Sequence, residues 1–176
     1  MMTFIQNTGL DQVVYRPWTF GVTPTLQSIF YLIKDNVGKK CRKLHFDREL
    51  LTLSDGGTGG IDWNMQPYGS GRPSDDENKP ILLLYPGISG CNNNLYTLNI
   101  GHEAHLKGFK VGTVIFRGAD IKGVPITSGK FSSVCAWQDG TEITKYVTDK
   151  YVMKGGKKMV NLYAYACSLG AQILVN

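Results

Sequence analysis

Three continuous apolar runs alternate with helix-like segments in the second half of the chain. The runs cover residues 80–85, 110–116 and 159–166, and each has the length and apolar character of a buried strand in a parallel sheet. The segments between them, 93–107 and 137–152, carry apolar residues at helical spacing. Strands that alternate with helices predict an α/β fold with a mainly parallel sheet, right-handed crossovers and helices on both faces.

The pentapeptide Ala-Cys-Ser-Leu-Gly at 166–170 directly follows the last of these predicted strands. A small-x-Ser-x-Gly pattern between a strand and a helix is typical of a nucleophile elbow, a tight turn that exposes a serine hydroxyl. Ser168 is therefore the candidate nucleophile. The pattern is short, and Ala166 stands where a glycine is usual, so a surface serine that caps a helix explains it about equally well.

The first part of the chain predicts a different organisation, with one helix that starts near Thr23 and ends at Gly38. The apolar residues that fall on one face of this helix are Leu26, Ile29, Phe30, Ile33 and Val37. A strand over 44–53 and extended chain from 60 flank a turn. We expect residues 1–43 to be an N-terminal extension and residues 44–176 to form the α/β domain.

The net charge of +5 is spread along the chain, with basic clusters at 39–43 and 154–158. Solvated turns are the simpler interpretation of these clusters, and contact with an anionic membrane surface is the alternative. Aromatic residues do not interleave with the lysines as a nucleic-acid platform would require, so we expect no nucleic-acid partner.

The cysteines show no CxxC spacing and predict neither a metal site nor a disulfide framework; they are Cys41, Cys91, Cys135 and Cys167. We expect no metal and no cofactor. The start of the chain lacks the pattern of a secretory signal, and no apolar stretch is long enough to span a bilayer. These features favour an intracellular location, cytoplasmic or mitochondrial, with membrane association left open.

Several motifs occur in one order along the chain: Arg48-Glu49, Asp55-Gly56-Gly57, Ile61-Asp62-Trp63, Leu83 to Gly90, Tyr96, Arg117-Gly118, and Cys167 to Gly170. In this order and approximate spacing the chain resembles the amino-terminal half of one α/β-hydrolase subfamily. That subfamily includes eukaryotic monoacylglycerol and phospholipid hydrolases, yeast medium-chain ethyl-ester synthases and bacterial YheT-type hydrolases.

The resemblance implies a site of the serine esterase type. Ser168 would be the nucleophile, and the backbone amides of Ile88 and Leu169 would form the oxyanion hole. Fixed N–H donors of this kind stabilise the negative charge that develops in the tetrahedral intermediate.

The resemblance also implies partners for Ser168 that these 176 residues do not supply. In the subfamily the acid and the histidine follow the serine, whereas His45, His102 and His105 all precede it. We interpret these histidines as structural or surface residues, and Asp139 and Asp149 as charges on a helix surface. The expectation is a truncated lipid or ester hydrolase that is inactive alone.

The second half of that fold would normally cover the strand before the serine. Without it, residues 159–166 would form an unpaired apolar edge, which is prone to aggregation. We expect another polypeptide, possibly the missing hydrolase half, to cover this strand. A non-catalytic structural subunit of a larger assembly is the alternative function.

Overall fold

The computed structural model describes residues 23–41, 45–64, 72, 78–88, 90–120, 123–133, 135 and 137–175, with the backbone alone at 35–41. The chain divides into two compact units, Met1–Lys40 and Cys41–Asn176. The assignment of 1–43 as an extension and of 44–176 as a hydrolase half stays a prediction.

The first unit contains helix α1, Pro24–Cys41. It begins after Thr23, whose Oγ1 accepts a hydrogen bond from the Leu26 N–H at 3.2 Å, and Pro24 takes the first helical position, where its lack of an N–H is harmless. The expectation that Gly38 ends this helix is wrong, because the helix continues for three residues beyond it. A glycine within a helix costs only about 1 kcal/mol, which its neighbours can offset.

The described residues of the second unit form seven strands: β1 Phe46–Thr52, β2 Thr58–Asn64, β3 Ile81–Tyr85, β4 Lys110–Ile115, β5 Met153–Lys154, β6 Lys157–Lys158 and β7 Leu162–Ala166. Five of them form one sheet in the order β1-β2-β4-β3-β7. The β1–β2 and β2–β4 pairs are antiparallel, whereas β4–β3 and β3–β7 are parallel. The small β5–β6 hairpin was not predicted.

Helices cover both faces of the five-stranded sheet; they are α2 Leu95–Leu106, α3 Trp137–Val147, the π-helical turn Thr148–Val152, and α4 Leu169–Val175. Because side chains alternate along a strand, β3 feeds both faces. Leu83 and Tyr85 belong to the core that α3 and α4 complete, and Leu82 and Leu84 pack with α2 residues on the opposite face. The predicted α/β fold with helices on both faces is confirmed.

Strand β7, Leu162–Ala166, is shorter than the predicted 159–166 and lies at the edge of the sheet, as the expectation of an unpaired edge requires, rather than buried between two strands. It pairs with β3 in parallel, as expected, with Leu83 opposite Ala164. Among the described residues its other side has no partner strand, and Tyr163 and Tyr165 are 49% and 41% exposed. The apolar character of the run therefore belongs to a strand that lies at the edge of the sheet in this chain.

Arg48 and Glu49, two neighbouring residues on β1, form buried polar contacts. Arg48 donates from Nε and Nη2 to the carboxylate of Asp62 on β2, at 2.6 and 2.7 Å. Glu49 accepts hydrogen bonds from the indole of Trp63, the hydroxyls of two tyrosines and the Lys150 ammonium. These motif residues thus tie the β1–β2 hairpin together and link it to α3 and the π-helical turn.

The Glu49 cluster predicts acid sensitivity. Burial raises the pKa of Glu49, but the hydrogen bonds from Lys150, Tyr146, Trp63 and Tyr151 outweigh it and lower the pKa from 4.5 to about 2. The unfolded chain therefore takes up this proton first as the pH falls. Stability that Glu49 contributes above pH 4.5 is lost as the pH drops towards 2.

We expect the free energy of unfolding, measured in urea, to fall across that pH window and to fall less steeply in Glu49→Gln. Glu103→Gln, an exposed substitution on α2, is the matched control. An unchanged slope in Glu49→Gln would contradict this role for the cluster.

Candidate active site

Ser168 lies in the turn between β7 and α4. The N–H of Cys167 donates to the Tyr85 carbonyl at 3.0 Å, which extends the β3–β7 pairing by one residue. Ser168 then has φ +52°, and it is the one non-glycine residue in the described chain with a positive φ. A left-handed backbone costs roughly 1–2 kcal/mol at such a residue, and a strained strand-to-helix turn of this kind exposes a nucleophilic serine in α/β-hydrolases.

Two glycines let the loops after β3 and β7 approach each other closely. A Cβ added at Gly170 would lie 2.2 Å from the Tyr85 carbonyl oxygen and 2.6 Å from that of Pro86. A Cβ added at Gly87 would lie 3.3 Å from Cβ of Ser168 and 3.8 Å from its Oγ. The turn around Ser168 therefore packs directly on the backbone of the loop that follows β3. We call this loop, which contains Gly87 and Gly90, the glycine-rich loop.

The structure brings the three predicted site residues together at the ends of two adjacent parallel strands. Ile88 and Leu169 line one cavity of about 180 Å³. Ile88 is exposed and Leu169 is buried. Neither backbone amide donates a hydrogen bond to an acceptor among the described residues. The role of these two amides as an oxyanion hole stays a prediction.

Helix α2 and the residues just before it hold the glycine-rich loop in place. The Gly87 N–H donates to the Tyr96 hydroxyl at 3.1 Å, and the Gly90 N–H donates to the Gly87 carbonyl at 2.9 Å. The side chain of Asn94 accepts from the Cys91 N–H at 2.8 Å. The sequence identified Tyr96 only as part of a motif. In the structure its hydroxyl orients Gly87, the residue that precedes Ile88.

Arg117 is a polar residue that lines this cavity. The sequence did not predict its environment. It lies two residues after the end of β4, is 5% exposed, and donates from Nε and Nη2 to the Asp139 carboxylate, both at 2.6 Å. It also donates to Asp55 at 3.0 and 3.2 Å. Hydrogen bonds from Arg117 and Lys130 hold the pKa of Asp55 well below its usual range.

The interpretation of Asp139 as a surface charge is wrong. Asp139 lies in the first turn of α3 but points inward to Arg117, and only 5% of it is exposed. Asp149 is exposed, as expected, and pairs with Lys145 one helical turn earlier at 2.6 Å. The signal in the sequence was an arginine close to the end of an apolar strand, where a buried cation needs a partner.

A larger polar cavity of about 530 Å³ adjoins the first. Arg117 and Phe131 line both cavities, and Asp55, Lys130 and Asp139 line the larger one. Space for a ligand therefore extends from Ile88 and Leu169 to the Arg117 ion pairs.

The described residues place no general base on Ser168. His45 is exposed just before β1, and His102 and His105 lie on α2. Burial, with nearby Lys79, His102 and Lys110, lowers the pKa of His105. No described side chain forms a hydrogen bond with the Ser168 hydroxyl, and no described group of three or more His, Cys, Asp or Glu could hold a metal ion.

The chain spans 27–40% of the length of three curated relatives. The chain is 31% identical over 171 residues to protein abhd-3.2 of Caenorhabditis elegans, which covers 95% of this chain and 40% of that protein. It is 29% identical over 130 residues to embryogenesis-associated protein EMB8 of Picea glauca, covering 73% and 27%. It is 23% identical over 133 residues to phospholipase ABHD3 of Mus musculus, covering 76% and 30%. No protein-family model matches the chain.

Solved structures with a similar fold include esterases. The esterase Pf2001 of Pyrococcus furiosus matches with a TM-score of 0.52 at 15% identity, over 92% of this chain and 51% of that one. Brefeldin A esterase, a bacterial homologue of human hormone-sensitive lipase, matches with a TM-score of 0.52 at 14% identity, over 99% and 49%. The chain therefore has the partial fold of the amino-terminal half of an α/β-hydrolase and is related to ester and lipid hydrolases.

Proposed function

We propose that residues 1–176 carry the nucleophile of a serine hydrolase that cleaves carboxylic esters of lipids. The observation that carries this proposal is the left-handed Ser168 turn, which packs against Gly87 just past the ends of two adjacent parallel strands. A simple helix cap would need neither the strained backbone nor the close approach of the glycine-rich loop. Lipid esters are proposed as substrates because one relative is a phospholipase.

The proposed reaction assigns each group one task. The Ser168 Oγ attacks the ester carbonyl carbon, and its proton passes to a base outside the described residues. The carbonyl oxygen becomes an oxyanion that accepts hydrogen bonds from the Ile88 and Leu169 amides. The base returns the proton to the leaving alcohol, and water then hydrolyses the acyl-enzyme. One lost oxyanion donor costs roughly 3–4 kcal/mol of transition-state stabilisation.

We propose further that residues 1–176 alone are inactive, because a serine hydroxyl without a base is a poor nucleophile. A polypeptide segment that covers the open edge of β7 would supply the acid and the histidine. The exposed Tyr163 and Tyr165 on that edge support this arrangement, since natural proteins cover or pair long apolar edges. Whether this segment belongs to the same polypeptide or to another, it would complete the sheet and the site together.

A fluorophosphonate probe, which reacts with activated serines, tests both parts of the proposal. We expect purified residues 1–176 to remain unlabelled. When the same residues are joined to, or mixed with, the segment that supplies the histidine, we expect labelling that Ser168→Ala abolishes. Ser28→Ala, a surface serine substitution on α1, should leave labelling intact.

Two results would separate the parts. Labelling of residues 1–176 alone that Ser168→Ala removes would refute the inactivity and retain the nucleophile. Labelling of the completed protein that survives Ser168→Ala would refute the nucleophile itself.

A further inference from the structure

Helix α1 presents an apolar stripe to solvent. All described side chains of α1 are exposed, Tyr31 and Leu32 included. The apolar side chains that fall on one face are 43–55% exposed: Leu26, Ile29, Phe30 and Ile33. Residues three and four apart lie on one face of a helix, so these four form a continuous stripe. Val37 continues the same spacing along the sequence. A face with this many exposed large apolar side chains indicates contact with something apolar.

The same segment becomes strongly basic towards its end. Between residues 34 and 43 there are five cationic side chains, Lys34, Lys39, Lys40, Arg42 and Lys43, against the single carboxylate of Asp35. The described Lys34 is exposed. An apolar stripe beside clustered lysines is the pattern of a helix that lies in the headgroup region of an anionic bilayer.

We propose that α1 is a membrane-interface helix that binds the surface of a bilayer containing anionic lipids. Its apolar stripe enters the boundary between headgroups and acyl chains, and its basic end contacts the lipid phosphates and carboxylates. The charge decides between occupants, because an apolar protein groove would accept the stripe but would not require five nearby cations. None of the described helices is both long and apolar enough to cross a bilayer.

The proposal does not depend on the hydrolase chemistry, so its test uses no activity. Residues 1–176 are sedimented with phosphatidylcholine vesicles that either contain or lack phosphatidylserine. We expect binding to the anionic vesicles only, weakened strongly when salt is raised from ~0.1 M to ~1 M, because the screening length falls to a few ångströms.

Two sets of variants locate the binding on α1. Ile29→Asp with Ile33→Asp should reduce vesicle partition at least ~10-fold, because each buried aliphatic side chain contributes substantially to transfer from water. Lys39→Gln with Lys40→Gln should reduce it about 5-fold per lysine. Ile126→Asp, at an exposed isoleucine in the second unit, is the matched control and should bind like the unchanged chain. Circular dichroism checks that all variants fold.

Three outcomes would overturn the proposal. One is equal binding to neutral and anionic vesicles. Another is anionic binding that Ile29→Asp with Ile33→Asp leaves intact. The third is an absence of vesicle binding, for instance with the stripe instead mediating self-association that sedimentation velocity detects and the aspartates abolish.

Discussion

Asp139→Ala is expected to lower the free energy of unfolding by about 3 kcal/mol. The substitution removes the carboxylate that receives two short hydrogen bonds from Arg117, whose guanidinium is 5% exposed. A buried cation that loses its partner keeps its desolvation cost, and breaking such pairs typically costs 3–5 kcal/mol. We place the loss at the lower end because Asp55 still accepts two hydrogen bonds from Arg117. Urea unfolding of residues 1–176 measures it.

Asp149→Ala is the matched control for this prediction. It also removes a helical aspartate that pairs with a basic side chain, but the Lys145–Asp149 pair is exposed. Exposed pairs of this kind contribute less than ~1 kcal/mol. Equal losses in the two variants would contradict the burial of the Arg117 network.

A second variant distinguishes the cost of a buried Arg117 without the Asp139 carboxylate from a simple loss of packing. Arg117→Met with Asp139→Leu removes both members of the buried pair and should recover most of the stability lost in Asp139→Ala, because apolar pairs of similar volume often replace buried ion pairs without cost. Asp55 is partly exposed and retains Lys130 at 2.9 Å, so it is not stranded in turn. If the double variant were less stable than Asp139→Ala, the charge argument would be wrong.

The Asp139 result illustrates which parts of this fold local sequence patterns can predict. Strands β3 and β4 and helix α2 follow from runs and periodicities within about 15 residues, and they lie where those patterns place them. The partner of Asp139 is 22 positions away, in the loop after β4. Helical spacing identifies Asp139 as a first-turn residue but does not identify which side chain faces it, so its burial required the tertiary structure.

The meeting of the two loops that carry the candidate site could be predicted from the sequence, whereas the residues around the site could not. Parallel strands place their carboxyl ends on one edge of the sheet, which brings the loop after β3 to the turn after β7. Ile88 and Leu169 accordingly line one cavity. The larger cavity beside them, with Arg117 and Lys130, depends on a long loop whose course no periodicity specifies.

Gly170→Val should both destabilise the fold and disturb the Ser168 turn. A Cβ at this position would lie 2.2 Å from the Tyr85 carbonyl oxygen, which is backbone and cannot rotate away. The start of α4 would have to move away from the end of β3, at a cost of about 3 kcal/mol or more. That movement would also break the contact between Gly87 and Ser168, so probe labelling of the completed protein should fall with stability.

Gly129→Val tests whether this effect comes from the close approach rather than from losing a glycine. Gly129 has no heavy atom within 4 Å of the added Cβ, and its φ is not in the left-handed region. We expect less than ~0.5 kcal/mol of change at this surface position and unchanged labelling. Because Gly170 is the second residue after the serine, the last small position of the pentapeptide is explained by packing against β3. If Gly170→Val matched Gly129→Val in both measurements, the two loops would not be in the contact that places Ser168 beside Gly87.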